Sequence, residues 1–114
     1  MSKPYTPAIL SNGNLYISGQ LGLDLSIGQL VKGGVIVELQ QTMKNLQAIL
    51  QEHNCTFDNL IVVNIFLKSM DDYAAVNEEY IKYFPNRKPT RTCVAVEGLP
   101  FGASIELTTI AEVK

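Results

Sequence analysis

Two runs of alternating residues near the carboxyl end of the chain place the strongest constraint on its fold. The first spans residues 90–96 and the second residues 103–113, and both are rich in Val, Thr or Ile, which fit a pleated strand surface. The segment between them, residues 97–102, is rich in glycine and proline, which is typical of a turn. Because successive side chains of a strand point to opposite faces, each run indicates a strand with one buried face.

The first run has two chemically different faces. Val94 and Val96 share one face with Thr92, and we predict that this face packs in the core. Arg91 and Cys93 share the opposite face. Because a buried guanidinium is very costly without a partner, this second face is not ordinary core, and we expect Arg91 to have a carboxylate partner.

The second run supplies a candidate for that partner. Glu106 lies on the face opposite to Ile105 and Leu107. If the two runs pair as an antiparallel hairpin with an even-numbered loop, Glu106 stands opposite Arg91 or Cys93, since directly opposed residues share a face. Two interpretations stay open for this predicted patch of guanidinium, thiol and carboxylate. One is a cross-strand ion pair on a solvated face, which contributes little to stability, and the other is a functional site.

The remaining segments predict an α+β domain. Asn12-Gly13 between two short apolar runs is a strong hairpin signal, and apolar residues recur at helical spacing over 36–53. A near-continuous apolar run at 60–68 predicts a central strand, and a Ser followed by two Asp residues predicts the start of a second helix over 69–84. The resulting order predicts a single domain, 1–114, with two helices on one face of one mixed, mostly antiparallel sheet.

Two single residues carry a local signal. Gly19 ends a predicted strand, which indicates a β-bulge or a close approach of another group to the backbone. His53 is the only His and lies at the end of the first predicted helix, where the helix dipole favours a cation. We therefore interpret His53 as a helix-end residue, and its isolation argues against His-dependent triads and against a metal site.

Composition limits the classes of function. The formal net charge is −2 and the pI about 5.3, and the chain has no cluster of basic residues, which disfavours nucleic-acid binding. The two Cys residues, the lack of an apolar signal segment and the lack of any run of membrane-spanning length predict free thiols in a reducing, cytoplasmic setting, with an organelle as the alternative.

Short motifs run through the whole chain in a fixed order: Pro4-Tyr5, Ser18-Gly19-Gln20, Gly28 with Leu30-Val31, Asn45-Leu46, Ala75-Val76-Asn77 with Tyr80, Pro89-Thr90-Arg91-Thr92-Cys93-Val94, Leu99-Pro100, Gly102-Ala103 and Ile105-Glu106. No single motif is specific. The ordered set, at this spacing, resembles the RidA/YjgF family of reactive-intermediate (enamine/imine) deaminases, which is also known as the endoribonuclease L-PSP-like family.

The resemblance implies a fold, an assembly and a reaction. The fold would be chorismate-mutase-like, and the assembly a homotrimer with inward-facing sheets and a pocket at each subunit boundary. The reaction would be that of a 2-iminobutanoate/2-iminopropanoate deaminase, a hydrolase of metabolite damage control. Such an enzyme needs no cofactor and converts imines released by pyridoxal-phosphate enzymes to 2-keto acids and ammonia.

The resemblance also implies roles for particular residues. Arg91 would bind the substrate carboxylate, since its planar fork matches a carboxylate in a bidentate manner. Glu106 would orient the water or exchange a proton, and Tyr5 would steer the water or the leaving ammonia. The remaining substrate-contacting positions are Ser18, Gly19 and Cys93. We predict that Cys93 is not a nucleophile, although the nearby cation could lower its pKa, because imine hydrolysis needs no covalent step.

The chain departs from the family pattern at the predicted pocket rim. Phe101 follows Leu99-Pro100 where the family often has a basic residue, and we expect this change to alter the rim. Two other functions stay open at this level. One is a non-catalytic trimer that binds small carboxylates or acts as a holdase, and the other is a ribonuclease or translation inhibitor, which the acidic balance disfavours.

Overall fold

The computed structural model describes residues 3–114. Its main elements follow the order β1 (Ala8–Ser11), β2 (Asn14–Leu21), β3 (Leu23–Asp24), β4 (Gln29–Leu30), α1 (Val35–Glu52), β5 (Leu60–Leu67), α2 (Tyr73–Tyr80), β6 (Thr90–Ala95) and β7 (Ile105–Glu112). Five strands form one sheet in the order β1-β2-β7-β5-β6, and β3 pairs only with β4. The β5–β6 pair is parallel and the other pairs are antiparallel.

The turn between β1 and β2 forms where the sequence predicts it. Asn12 and Gly13 both adopt a left-handed backbone, with φ of 51° and 81°. Two consecutive residues with positive φ match the right-handed twist of the flanking strands, and Asn and Gly adopt this conformation most easily. The predicted hairpin is therefore confirmed.

Both helices lie on the same face of the sheet. The inner side of α1 is buried, and the predicted bounds of 36–53 agree with those observed to within one residue. Asn54, with φ of 59°, ends α1 in the left-handed conformation. Before α2, Ser69 accepts a hydrogen bond from the N–H of Asp71 at 3.1 Å and caps a short 3₁₀ turn. The α-helical part ends at Tyr80, and a second 3₁₀ turn, Ile81–Tyr83, continues it toward Phe84.

The core fills the space between the two helices and this face of the sheet. Its largest fully buried side chains come from all layers: Phe84, Leu15, Leu39, Met43, Leu46, Leu50, Leu60, Ile65, Leu67, Ile105, Leu107 and Val63. No helix formed by residues 3–114 covers the opposite face of the sheet, which we call the open face. Ile9, Tyr16 and Val94 are 55%, 46% and 42% exposed there. The predicted α+β arrangement with helices on one face is confirmed.

The predicted hairpin of the last two strands is wrong. β5 lies between β6 and β7 and pairs with both of them. The reason is that α2 connects β5 to β6, and a strand–helix–strand connection places its two strands side by side and parallel. β6 consequently becomes an edge strand, and β7 pairs with the other side of β5.

The strand order also shows that the prediction of which β6 side chains face the core is wrong. Arg91 is paired with Val63 and Cys93 with Ile65, and both partners are fully buried beneath the helices. Arg91 and Cys93 therefore lie on the helix-covered face. The predicted core face of β6 points instead to the open face, where Val94 is exposed.

Candidate active site

A cleft of about 650 Å³ lies where the N-terminal segment, the end of β2, α1 and the start of β7 meet. Its lining comes from six parts of the chain and includes four residues that the sequence predicts for the site, Tyr5, Ser18, Gly19 and Glu106. The rest of the lining comprises Lys3, Pro7, Gln20, Leu21, Leu23, Leu25, Asn45, Ala48, Ile49, Glu52, Pro100 and Phe101. Phe101, which the sequence analysis expects at the pocket rim, lines this cleft.

Gly19 brings β2 into close contact with Glu106. The register between β2 and β7 shifts between Ile17 and Gln20, which is the irregularity that the sequence predicts. A Cβ atom at Gly19 would collide with Oε2 of Glu106 and would lie only 3.0 Å from its Cδ. A residue without a side chain is therefore required for the carboxyl group of Glu106 to occupy its position.

Ser18 anchors the segment that carries Tyr5. Its hydroxyl donates a hydrogen bond to the carbonyl oxygen of Thr6 at 2.6 Å, and its backbone N–H donates to the carbonyl oxygen of Pro7 at 2.9 Å. Tyr5 is 53% exposed beside the cleft. These two bonds hold the chain next to Tyr5 against the bulge of β2, at the edge of the cleft.

Glu106 is a half-buried carboxylate on the open face. It pairs with Phe66, which in turn pairs with Val94, so all three lie on the face opposite to the helices. Burial raises the pKa of Glu106 above its ordinary value, and within residues 3–114 no hydrogen bond or ion pair opposes that effect. A carboxyl group with a raised pKa that faces a cleft is a candidate to exchange protons with a bound ligand.

Arg91 is held rigidly in a different place. Its guanidinium donates hydrogen bonds to Oδ1 of Asn77 at 2.6 Å and to the hydroxyl of Tyr73 at 3.2 Å. It also lies 5.6 Å and 5.2 Å from the ring centroids of Tyr73 and Tyr80, within the range of a cation–π interaction. None of the carboxylates in residues 3–114 forms a salt bridge with it. The cation is thus oriented and still able to bind an anion.

The environment of Cys93 differs from the expectation that the nearby cation could lower its pKa. Burial raises the pKa of the Cys93 thiol, and this effect outweighs the opposing charge of Arg91. The thiol is therefore mostly protonated at neutral pH, which makes it a poor nucleophile. This finding agrees with the prediction that Cys93 plays no covalent part.

Within a single chain, the predicted patch of Arg91, Cys93 and Glu106 is wrong. Arg91 lines a second cavity of about 260 Å³ beside α2, whereas Glu106 lines the large cleft. The structure brings Tyr5, Ser18 and Gly19 to Glu106 and leaves Arg91 and Cys93 on the other face of the sheet. No three His, Cys, Asp or Glu side chains of residues 3–114 come together as metal ligands.

Sequence reasoning missed the residues that hold Arg91. Tyr73, Asn77 and Tyr80 follow one another at intervals of four and three residues, which places them on one side of a helix. The polar Asn77 interrupts an otherwise aromatic stripe, and this break is a signal in the sequence for a buried polar contact. Only the packing of α2 over β6 shows that the contact is with Arg91.

The family model described as endoribonuclease L-PSP matches residues 1–113. The chain belongs to the endoribonuclease L-PSP family. The mouse (Mus musculus) protein named 2-iminobutanoate/2-iminopropanoate deaminase is 44% identical over 108 residues, which cover 95% of this chain and 80% of the mouse protein. A second relative, named protein mmf1, mitochondrial, from Schizosaccharomyces pombe, is 41% identical over 95% of this chain and 67% of its own length.

A solved structure of a related protein has the same fold. The structure of a protein of the conserved Rid family from Yersinia pestis superposes with a TM-score of 0.95 at 35% identity, and the match covers 99% of this chain and 90% of that one. The resemblance predicted from the ordered motifs is confirmed, and so is the chorismate-mutase-like α+β fold that it implied.

Proposed function

We propose that this chain hydrolyses 2-imino acids to 2-keto acids and ammonia, as the name of its mouse relative states for 2-iminobutanoate and 2-iminopropanoate. The proposal depends mainly on the half-buried carboxyl group of Glu106, which lies in a cleft together with Tyr5 and Gly19. Burial raises the pKa of this carboxyl group. A group of this kind can take a proton from water and return it during one turnover.

The proposed chemistry consumes one water and releases one ammonia. Glu106 orients a water and accepts its proton as the water oxygen bonds to the imine carbon and the C=N π electrons move to nitrogen. Glu106 returns that proton to the nitrogen, which gives the neutral carbinolamine. The hydroxyl of the carbinolamine then passes its proton to the nitrogen by way of Glu106, the C=O bond forms as the C–N bond breaks, and ammonia leaves. Tyr5 is placed to donate a hydrogen bond to the water or to the departing ammonia. Cys93 has no covalent role in this sequence of steps.

Arg91 is the natural partner for the substrate carboxylate, because its guanidinium is oriented but free of carboxylates in residues 3–114. It lines a different cavity from Glu106. We therefore propose that each complete site combines the cleft of one copy with Arg91 of a neighbouring copy. A homotrimer whose open faces point inward would also cover the exposed apolar side chains Ile9, Tyr16 and Val94.

The decisive experiment measures keto-acid formation from an imine that an amino-acid dehydratase generates in the same vessel. Adding the protein should speed the loss of the imine well above the spontaneous rate, and the increase should scale with protein concentration. An unchanged rate at every protein concentration, with the dehydratase shown to be active, would refute the proposed function.

A ribonuclease activity is the second candidate, because the family model is described as an endoribonuclease. Charge argues against it: the net charge is −2, and the cleft contains the carboxylates Glu52 and Glu106 against one basic residue, Lys3. Incubation with single-stranded RNA, analysed by gel electrophoresis, separates the two candidates. Cleavage that Glu106→Gln abolishes would favour the ribonuclease.

The helices and one relative's name bear on where the protein is located in the cell. Between residues 3 and 114, neither helix is both long enough and apolar enough to cross a membrane. We propose a cytoplasmic location for the protein, while the mitochondrial name of the fission-yeast relative makes an organelle the alternative. Subcellular fractionation with antibodies against the protein distinguishes these two places.

A further inference from the structure

Phe101 stands out as an exposed aromatic residue in a strained backbone conformation. Its side chain is 65% exposed, and its φ and ψ are 62° and 13°, in the left-handed region. A bulky residue rarely adopts this conformation, because it costs free energy. An exposed ring makes few packing contacts, so packing offsets little of that cost. Stability therefore does not explain this residue, whereas a position at the edge of a ligand cleft does.

Other apolar side chains line the same cleft. Leu23 and Leu25 come from the β3–β4 ribbon, and Ile49 comes from α1. Leu25 is 70% exposed, so it too contributes little to the core. We call Phe101, Leu23, Leu25 and Ile49 the apolar wall. The reacting groups come from other elements, namely the N-terminal segment, β2 and β7.

The cleft is also larger than a small imino acid requires. Its volume of about 650 Å³ lies in the middle of the range of ~300–1,000 Å³ that holds drug-sized ligands. A substrate with a methyl or ethyl side chain would fill only a small part of this volume.

We infer that the apolar wall binds the substrate side chain, and that this protein favours 2-imino acids with large apolar side chains over those with methyl or ethyl groups. This inference rests on the proposed function, since it assigns the substrate class of the same site. Burial of one methylene group favours binding about fourfold. An isobutyl side chain has two more carbons than an ethyl side chain, and partial burial of these carbons should raise kcat/KM about tenfold. A benzyl side chain, with five more carbons, should raise it by at least as much.

The test compares imines that an amino-acid oxidase produces from L-2-aminobutyrate, L-leucine and L-phenylalanine. The measured quantity is the ratio of kcat/KM for the leucine-derived and phenylalanine-derived imines to that for the ethyl imine. We expect a ratio near ten for the wild-type protein. Phe101→Ala and Leu25→Ala should each lower the ratio about fivefold, because each removes part of the wall.

Ile27→Ala is the matched control. Ile27 lies two residues from Leu25 and is 64% exposed, but it does not line the cleft, so the ratio should stay unchanged. Circular dichroism of each variant verifies folding, and Phe101→Asn supplies a second variant at a position with positive φ, because Asn tolerates this conformation.

The outcomes separate this inference from the proposed function. A wild-type protein that accelerates all imines equally, or that prefers the ethyl imine, overturns the inference and leaves the deaminase intact. A protein that accelerates none refutes the deaminase. In that case calorimetry with 2-oxobutanoate and 4-methyl-2-oxopentanoate decides the inference by itself, because an apolar wall would bind the larger acid about tenfold more tightly, and equal affinities would overturn it.

Discussion

At the scale of single residues, Glu106 makes the most direct prediction. Glu106→Gln keeps the shape of the side chain but removes its ability to accept a proton. Turnover should fall by roughly 10²–10⁴-fold, or by less where the spontaneous rate is high, while affinity for a 2-keto acid stays within a few-fold. Rate measurements and calorimetry on the same variant test both parts. Unchanged turnover would leave Glu106 with a structural role.

The same carboxyl group predicts a dependence on pH. Because burial raises the pKa of Glu106, the acid-side midpoint of the kcat profile should lie above the ~4.3 of a solvated Glu. The raised pKa means that folding favours the protonated form. The stability it confers is full at low pH and is lost as pH rises through the folded pKa, so Glu106→Gln should gain stability relative to wild type between acidic and neutral pH. Thermal unfolding of wild type and Glu106→Gln, each at an acidic and at a neutral pH, measures this difference in stability.

Gly19 predicts loss of activity with little loss of stability. Gly19→Ala forces the carboxyl group of Glu106 to move, and since this is the free end of a flexible side chain, the unfolding free energy should change by only about 1 kcal/mol. Turnover should nevertheless fall as in Glu106→Gln. Gly98→Ala is the control, because a Cβ there meets no atom within 4 Å. Equal turnover in the two variants would contradict the geometric role of Gly19.

For Cys93 we expect that substitution leaves much of the activity intact. Because burial raises the pKa of its thiol, Cys93→Ser should keep a substantial fraction of activity, and iodoacetamide should modify the wild-type thiol slowly at pH 7. Mass spectrometry during turnover checks for an adduct. Complete loss of activity together with a covalent adduct on Cys93 would indicate nucleophilic catalysis instead of water attack.

At the scale of secondary-structure elements, α2 holds the guanidinium that β6 carries. Asn77→Ala removes the shortest hydrogen bond to Arg91, and a hydrogen bond to a charged group contributes about 1.5–3 kcal/mol. We expect KM to rise at least about tenfold with a smaller change in kcat, and Arg91→Ala to abolish the acceleration. Glu78→Ala on the exposed side of α2 should change neither constant. An Asn77→Ala protein with wild-type KM would show that the rings of Tyr73 and Tyr80 suffice.

At the scale of the whole molecule, the separation of Arg91 from Glu106 predicts complementation between copies. Arg91→Ala and Glu106→Gln chains are each expected to be inactive alone. If sites form between copies, unfolding and refolding an equal mixture should restore activity, because about a quarter of the boundaries then unite an intact Arg91 with an intact Glu106. Light scattering coupled to gel filtration should report a trimer. A monomer, or a mixture without activity, would show that the site is not shared.

Much of this protein follows from its sequence, because the signals are local. Helical spacing defines α1, Asn12-Gly13 defines the first hairpin, and Gly19 indicates the bulge; each depends on neighbours a few residues away. The ordered motifs identified the family and pointed to four residues of the cleft. A motif is recognised from residue types and spacing along the chain, so it requires no knowledge of how the strands pair.

The tertiary structure alone decided how those positions are distributed over the sheet. The alternation of side chains along two strands shows which of their residues share a face only when the pairing of the strands is known. β6 and β7 do not pair with each other, because β5 lies between them. The crossover through α2 makes β6 a parallel edge strand, which turns Arg91 toward the helices while Glu106 faces the open side. No local pattern encodes this choice, because it depends on the order in which distant strands pair.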